Sequence, residues 1–358
     1  VRYSRLKFFV GLTGILQNLI LAVWLVSGTA DAQALVSPTL QEFTTTLEEP
    51  LQVEIGIKID QVTDINQKAE NFTVVAGIRM RWQDPLLAFD DQAGSKLMTS
   101  GEFVAHARSI PTHLPLFLFQ NQQAQRWEQE AFVSISADGT ANFFERSTLT
   151  LQAPYFDFEK YPFDTQKFSL DIVSIPPLDM IEFVPFDEVS GLGETLGEEA
   201  WILENPTLTI GTTRGITGMD SATASLTFSG RRHLQYYVIR IFIPMLILIA
   251  VSWVSFFLED LRKRIDMASA NLLVFVAFNF AVSESLPHLG YITFLDFVLQ
   301  SMFMVTATVI IMNVVLRRLK LRGRESLAIS IDNYIVKWVF PLGYLGVIAY
   351  ASYRFLLS

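Results

Sequence analysis

Cysteine is absent from all 358 residues. That removes disulfides, thiolate metal sites and thiol nucleophiles from consideration. Histidine is nearly as scarce. His106, His113, His233 and His288 are scattered with no ligand-like spacing, so no metal site is expected. No Walker sequence, Gly-x-Ser-x-Gly elbow or Gly-x-Gly-x-x-Gly loop occurs; Gly191, Gly193 and Gly197 miss that last spacing. An enzyme has little to work with here, and no cofactor is implied. Basic residues are thin through the middle of the chain. Residues 35–230 hold 28 Asp+Glu against 11 Lys+Arg. So negative a segment argues against a nucleic-acid partner and concentrates cations near it.

Apolar residues are what the chain has in excess. It is 51% hydrophobic, with positive mean hydropathy, a balance that points to membrane segments. Residues 1–34 read as an export signal. Arg2, Arg5 and Lys7 precede an apolar run at 8–26, and Ala32-Gln33-Ala34 supplies a small-x-small cleavage site. A retained anchor helix is the alternative, because the run is long for a signal core. Under either reading, residues 35–231 are expected outside the cytoplasm.

That acidic segment alternates like strands and shows almost no helical periodicity. Strands are expected at 53–60, 72–82, 131–136, 147–151 and 167–173. Turn signals separate them, among them Asp84-Pro85, Asp138-Gly139 and Pro176-Pro177. The pattern predicts an antiparallel β-sandwich of about ten strands. From residue 232 onward the composition changes. Segments 236–258, 265–286, 291–316 and 334–357 are each long enough to span the hydrocarbon core, and together they predict a four-helix transmembrane domain. Arg262-Lys263-Arg264 and the cluster from Arg317 to Arg324 make two linkers basic, which places them in the cytoplasm. The C-terminus then lies outside with the sandwich, in a multi-pass plasma-membrane protein.

One face of the second apolar segment carries Asp266, Ala270, Leu273, Ala277, Phe280 and Glu284. Its two acids are five turns, or about 27 Å, apart along a helix axis. Several copies around an axis would make an acid ring, an apolar constriction and a second acid ring, as a cation pore requires. The plain alternative is that Asp266 caps the helix and the apolar residues are core. Arg262 lies about 40° off that face, one turn earlier, and opposes the preference for cations that the acids create.

A local signature precedes the helices: Tyr161-Pro162-Phe163-Asp164-x-Gln166, with Asp157 before it. Pro162 fixes a turn, the flanking rings can press on a membrane domain, and Asp164 can pair with a cation. With Pro244, Trp82-Gln83-Asp84, Leu87-Ala88-Phe89-Asp90, Phe144-Glu145-Arg146, Ser252-Trp253, Ala277-Phe278-Asn279 and Leu286-Pro287, the chain resembles the pentameric ligand-gated ion channels over residues 47–357. The cysteine-free prokaryotic branch, and its bacterial proton-gated member, fit best. Where animal members place two cysteines this chain has Pro154 and Phe168.

The resemblance implies a homopentamer conducting monovalent and divalent cations. It implies gating by a small ligand or protons, and lipids as further partners. It implies coupling through Asp164, Arg232, Tyr161, Pro162, Phe163 and Pro287, with Leu273 at the gate. Where a third coupling carboxylate is usual the chain has Gln67, with Asp64 displaced nearby. The aromatic cage of amine-binding members is not matched, since Ile175 and Gln120 occupy two of its positions. Trp127, Trp201 and Phe228 remain as ring candidates, with sandwich packing as their ordinary role. Glu70 aligns with an acid tied to pH response. A membrane-anchored adhesion receptor without a pore is the competing class; it would not require acids aligned on one transmembrane face.

Overall fold

The computed structural model describes residues 49–90, 94–110, 112–197, 199–283 and 289–357. The expected export segment at 1–34, and Glu284 and Pro287, lie outside the described residues. Two sheets form the first half. The larger contains β1 (Leu51–Asn66), β2 (Asn71–Gln83), β3 (Ser95–Thr99), β5 (Trp127–Ser136), β6 (Thr140–Gln152), β8 (Ile181–Pro185) and the short β9 (Gly191–Leu192). Its order is β3-β5-β6-β2-β1-β8, with β9 also on β1. The smaller has β4 (Phe117–Phe119), β7 (Thr165–Ser174), β10 (Trp201–Arg214) and β11 (Asp220–Arg232), in the order β10-β11-β7-β4. Pairing is antiparallel except where β8 and β9 run parallel to β1.

Alternation explains the layers. In β6, Leu149 and Leu151 face inward between half-buried Thr148, Thr150 and Gln152, the period-two pattern of a sheet with one buried face. Phe72, Phe168 and Phe228 meet between the sheets, ring centroids 5.1 to 6.1 Å apart.

One helix in this half was not expected. α1 (Ser100–Ser109) follows β3 and buries Phe103 and Ala107, four residues apart on one face. Its signal is a capping box. Thr99 Oγ1 accepts from the Glu102 N–H at 3.3 Å, and Glu102 Oε2 accepts from the Thr99 N–H at 2.9 Å.

Four helices follow, each long and apolar enough to cross a membrane: α2 (Leu234–Phe257), α3 (Leu261–Ser283), α4 (Phe294–Leu321) and α5 (Glu325–Leu357). α2 widens by one residue per turn over Val238–Phe242, just before Pro244, where the missing N–H breaks the regular ladder. α3 starts four residues before the expected 265, so the arginines at 262 and 264 are helical, not linker. α4 likewise carries Arg317, Arg318 and Lys320 in its final turns. Hydropathy marks where a helix leaves the hydrocarbon, whereas hydrogen bonding and the C-terminal dipole let it run on into charged sequence.

Several polar groups inside the bundle find each other, although Asn313 of α4 is buried with neither side-chain polar atom bonded among the described residues. Asn271 Nδ2 donates to the Leu248 carbonyl at 3.0 Å and to Ser252 Oγ at 2.6 Å. Thr306 and Tyr344 share a hydrogen bond of 2.9 Å. Each helix thus supplies one member of a buried polar set. Core continuity runs from the sandwich through Phe158, Tyr161, Tyr237 and Phe294 into the upper bundle, and a second cluster fills the lower bundle around Phe256, Val309 and Phe340.

Candidate functional site

α3 has two unlike sides. Arg264, Ala268, Asn271 and Phe275 are buried against its neighbours. Asp266, Ala270, Leu273, Ala277 and Phe280 are all exposed in the single chain, at spacings of four, three, four and three that keep them in one line. Leu273 and Phe280 are 71% and 72% exposed. Large apolar groups in a row on a free face call for a lumen or a partner surface.

Asp266 does not cap its helix. The cap is Asp260, whose Oδ1 accepts from the Arg262 N–H at 2.8 Å, while its carbonyl takes the Arg264 N–H at 3.1 Å. Asp266 stands past the first turn, exposed. Arg262 is also exposed, one turn before it. Neither has an ion-pair partner among the described residues. Arg264 faces the other way: Nη1 pairs with Asp332 Oδ1 of α5 at 2.7 Å, and Nε donates to the Leu258 carbonyl.

The second site lies where the loop between β6 and β7 meets the helices. Arg232, the last residue of β11, binds Asp164 in a two-pronged pair: Nε–Oδ1 is 2.7 Å and Nη2–Oδ2 is 3.0 Å. The two side chains are only 1% and 2% exposed. Nη1 donates to the Tyr237 hydroxyl at 3.1 Å. Trp201 and Tyr161 stand 4.3 and 4.6 Å from the guanidinium carbon, close enough for cation–π attraction. Asp164 Oδ2 also accepts from Gln166 Nε2, which donates to the Asp157 carbonyl as well.

Burial works against the charge on Arg232. The hydrogen bonds and charge of Asp164, with Tyr237, outweigh it and hold the guanidinium pKa above its ordinary value. The Tyr161 hydroxyl is pushed up by burial first and by Tyr237 next. Around this pair the loop grips two helices. Phe163 lies 6.0 Å from Phe242 of α2 and 5.6 Å from Phe294 of α4. Tyr161, before the cis peptide to Pro162, meets Tyr237 edge-on at 5.4 Å. The Glu159 carbonyl accepts the Phe294 N–H at 2.8 Å, and the Phe158 N–H donates to the Tyr291 hydroxyl at 2.9 Å.

The residues considered for sensing are dispersed. Trp201 and Phe228 are buried, one over Arg232 and the other stacked on Phe168 at 5.3 Å, so neither presents a free ring to a ligand. Trp127 is 68% exposed at the start of β5. Glu70 is half-buried at the β1–β2 turn, with φ of 50° and its carbonyl taking the Ala153 N–H. Gln67 brings no carboxylate to Arg232.

Sequence reasoning missed Tyr237 and Tyr291 as site residues, and named Glu145 only as part of a motif. The first two are aromatic hydroxyls within five residues of a strand end or helix start, which is their only local signal. Glu145 is buried beneath Arg126, Oε1–Nη1 3.1 Å, and accepts from Ser147 Oγ at 2.6 Å. Desolvation raises its carboxyl pKa, and Ser147 and Arg126 offset only part of this.

Residues 37–176 match the family described as the neurotransmitter-gated ion-channel ligand binding domain. The chain is 26% identical over 302 residues to a proton-gated ion channel of Gloeobacter violaceus, covering 83% of this chain and 81% of that protein. It is 24% identical to pH-sensitive chloride channel 2 and 24% identical to a glutamate-gated chloride channel, both of Drosophila melanogaster. Each match covers 69% of this chain but only 49% and 54% of those relatives. The chain therefore spans most of the bacterial relative and about half of each animal one. Both chloride and proton-gated channels stand among the relatives, so likeness alone does not assign the permeant ion.

Proposed function

We propose that this chain, which matches a neurotransmitter-gated ion-channel ligand binding domain and is similar to a proton-gated ion channel, is a pentameric ligand-gated ion channel: homopentameric, cation-selective and opened by protons or a small extracellular ligand. It is a multi-pass plasma-membrane protein and not an enzyme. In this reading residues 1–34 direct export, residues 35–231 form the sensing domain and residues 232–358 the pore domain.

The observation that carries the proposal is the unpartnered stripe on α3. Five copies facing an axis convert it into a lumen: a ring of Asp266 at the cytoplasmic end, then Ala270, then an apolar throat at Leu273, Ala277 and Phe280. Glu284 would add the outer ring. An apolar throat blocks ions by dewetting when narrow, because no group there replaces the hydration shell. The sandwich reaches α3 through the coupling loop. Asp164 holds Arg232, which fixes the junction of β11 and α2. Tyr161, Pro162 and Phe163 bear on α2 and α4, and Pro287 would complete the contact from the α3–α4 link. Glu70 is the acid proposed for pH response, and Trp127 the exposed ring proposed for a small ligand.

Anion conduction is the second reading, and Arg262 favours it. Its side chain is exposed about 40° from the Asp266 line, and in this orientation it lies one turn nearer the cytoplasm. Whichever ring dominates the mouth sets the sign of the permeant ion. Reconstitution into planar bilayers, with currents recorded across pH steps under a KCl gradient, tests both parts. A reversal potential near that of potassium supports the cation reading, and one near that of chloride replaces it. Silence across a wide pH range and a ligand panel would remove the channel reading altogether.

A further inference from the structure

The first turn of α3 is charged against its dipole. A helix N-terminus favours anions, yet Arg262, Lys263 and Arg264 stand there and no acid lies in that turn. Arg262 and Lys263 are exposed. Arg264 points to the opposite side from Asp266, two residues on, and is buried. A buried guanidinium at this end of a helix needs an anion from elsewhere. α5 supplies it: Asp332 Oδ1 takes Arg264 Nη1 at 2.7 Å, with side chains 6% and 17% exposed. Lys337, further along α5, donates to Asn333 Oδ1 at 2.8 Å instead. Arg264 Nε also donates to the Leu258 carbonyl at the end of α2. One guanidinium thus joins the lower ends of α2, α3 and α5.

Charge at the start of α3 is balanced. Residues 259–266 carry three acids, Glu259, Asp260 and Asp266, against three bases, Arg262, Lys263 and Arg264. Asp332 tips this set to one net negative charge in each subunit. The basic end of α4, with Arg317, Arg318 and Lys320, adds a constant that no change at Asp332 alters.

We propose that Asp332 is a positioning residue for ion selectivity. It cancels the charge of Arg264 behind the inner mouth and leaves the sign of that mouth to Asp266 and Arg262. This rests on the channel reading above. Arg264 lies across α3 from the exposed stripe, about one helix diameter or roughly 10 Å away. That is about one Debye length in 0.1 M salt, and packed helices screen less than water does. An unpaired charge there still reaches the lumen, and five copies act together. Paired with Asp332, each acts only as a short dipole, whose field dies away faster.

The test records reversal potentials of the full-length protein in planar bilayers under a KCl gradient. Asp332→Asn keeps an acceptor for Arg264 Nη1 and removes the negative charge. It is expected to lower the cation-to-anion permeability ratio about threefold, whichever ion the wild type prefers. Arg264→Gln is expected to raise the ratio. The double variant has the wild-type net charge and is expected to restore it, and Asp332→Glu to keep it. A merely structural tie would lower the yield of folded protein or the size of the current and leave the reversal potential alone. If Asp332→Asn does not assemble, Arg264→Gln decides by itself. An unmoved reversal potential in the single variants that conduct overturns the proposal, as does a double variant displaced as far as Asp332→Asn. Both results leave the channel reading standing. A wild-type protein that never conducts removes that reading and this one together.

Discussion

Replacing Asp164 by Asn, Arg232 by Gln, and both together forms a cycle whose size follows from the geometry. The pair is two-pronged, at 2.7 and 3.0 Å, with side chains 1% and 2% exposed. Breaking a buried pair by removing one partner costs about 3–5 kcal/mol, because the other charge stays desolvated. The two single changes differ. Asp164→Asn leaves a guanidinium that retains the rings of Trp201 and Tyr161 and the Tyr237 hydroxyl, so the cost is about 3 kcal/mol. Arg232→Gln leaves a carboxylate supported mainly by Gln166, so it is expected at about 5 kcal/mol. With both charges gone the penalty falls short of the sum by about 2 kcal/mol or more.

Denaturant unfolding in detergent, followed by tryptophan fluorescence, measures this, and Trp201 lies 4.3 Å from the Arg232 guanidinium carbon. The same three variants in the bilayer assay report whether gating shares the coupling. Additive single effects, or an Asp164→Asn protein as stable as wild type, would refute the claim that these charges depend on each other.

Other outcomes follow from the same structure. Asp266→Asn should lower the cation-to-anion permeability ratio by about twofold or more and Arg262→Gln should raise it; reversal potentials in a salt gradient decide, and unchanged values for both would take this end of α3 out of the pore. Leu273→Ser should ease wetting of the throat and shift activation toward weaker stimulus by about tenfold in ligand, or about one pH unit; an unshifted dose–response curve would move the gate elsewhere. Glu145 has a folded-state pKa raised by burial, so the folded protein binds that proton more tightly than the unfolded chain does. Its contribution is full below the ordinary carboxylate pKa and is lost as pH rises through the raised value. Glu145→Gln should flatten that decline in a series of unfolding curves across acid pH, and parallel curves for the two proteins would count against it.

The two halves of the molecule differed in how openly the sequence declared them. Alternation in β6 and the long apolar runs reflect burial directly, so the sandwich strands and the four long helices were legible as elements, though not at their ends. The Asp164–Arg232 pairing was expected from the motif's resemblance to a family, because no local rule joins positions 68 apart. Its surrounding cage was not foreseen: Trp201 and Tyr237 reach Arg232 only after β10 pairs with β11 and α2 turns away from the sheet. α1 was hidden because its two buried residues, Phe103 and Ala107, give too short a periodic signal, while the Thr99–Glu102 box went unused. The start of α3 was set too late because Arg262, Lys263 and Arg264 look like a linker to any hydropathy measure. Asp260, two residues before Arg262, is the cap that shows otherwise.

Asn271 limits how a pore of this construction can open. It is buried on the side of α3 away from the exposed stripe, donating to Leu248 and Ser252 of α2. Spinning α3 about its own axis by even half a residue's angle would draw that amide away from Leu248 and Ser252 and break both bonds to α2. Intramembrane hydrogen bonds of this kind are worth about 0.6–2 kcal/mol each, and five subunits would break them together. Leaning α3 and α2 outward as one body keeps every such bond. A widening pore in this protein should therefore behave as an iris whose blades are helix pairs.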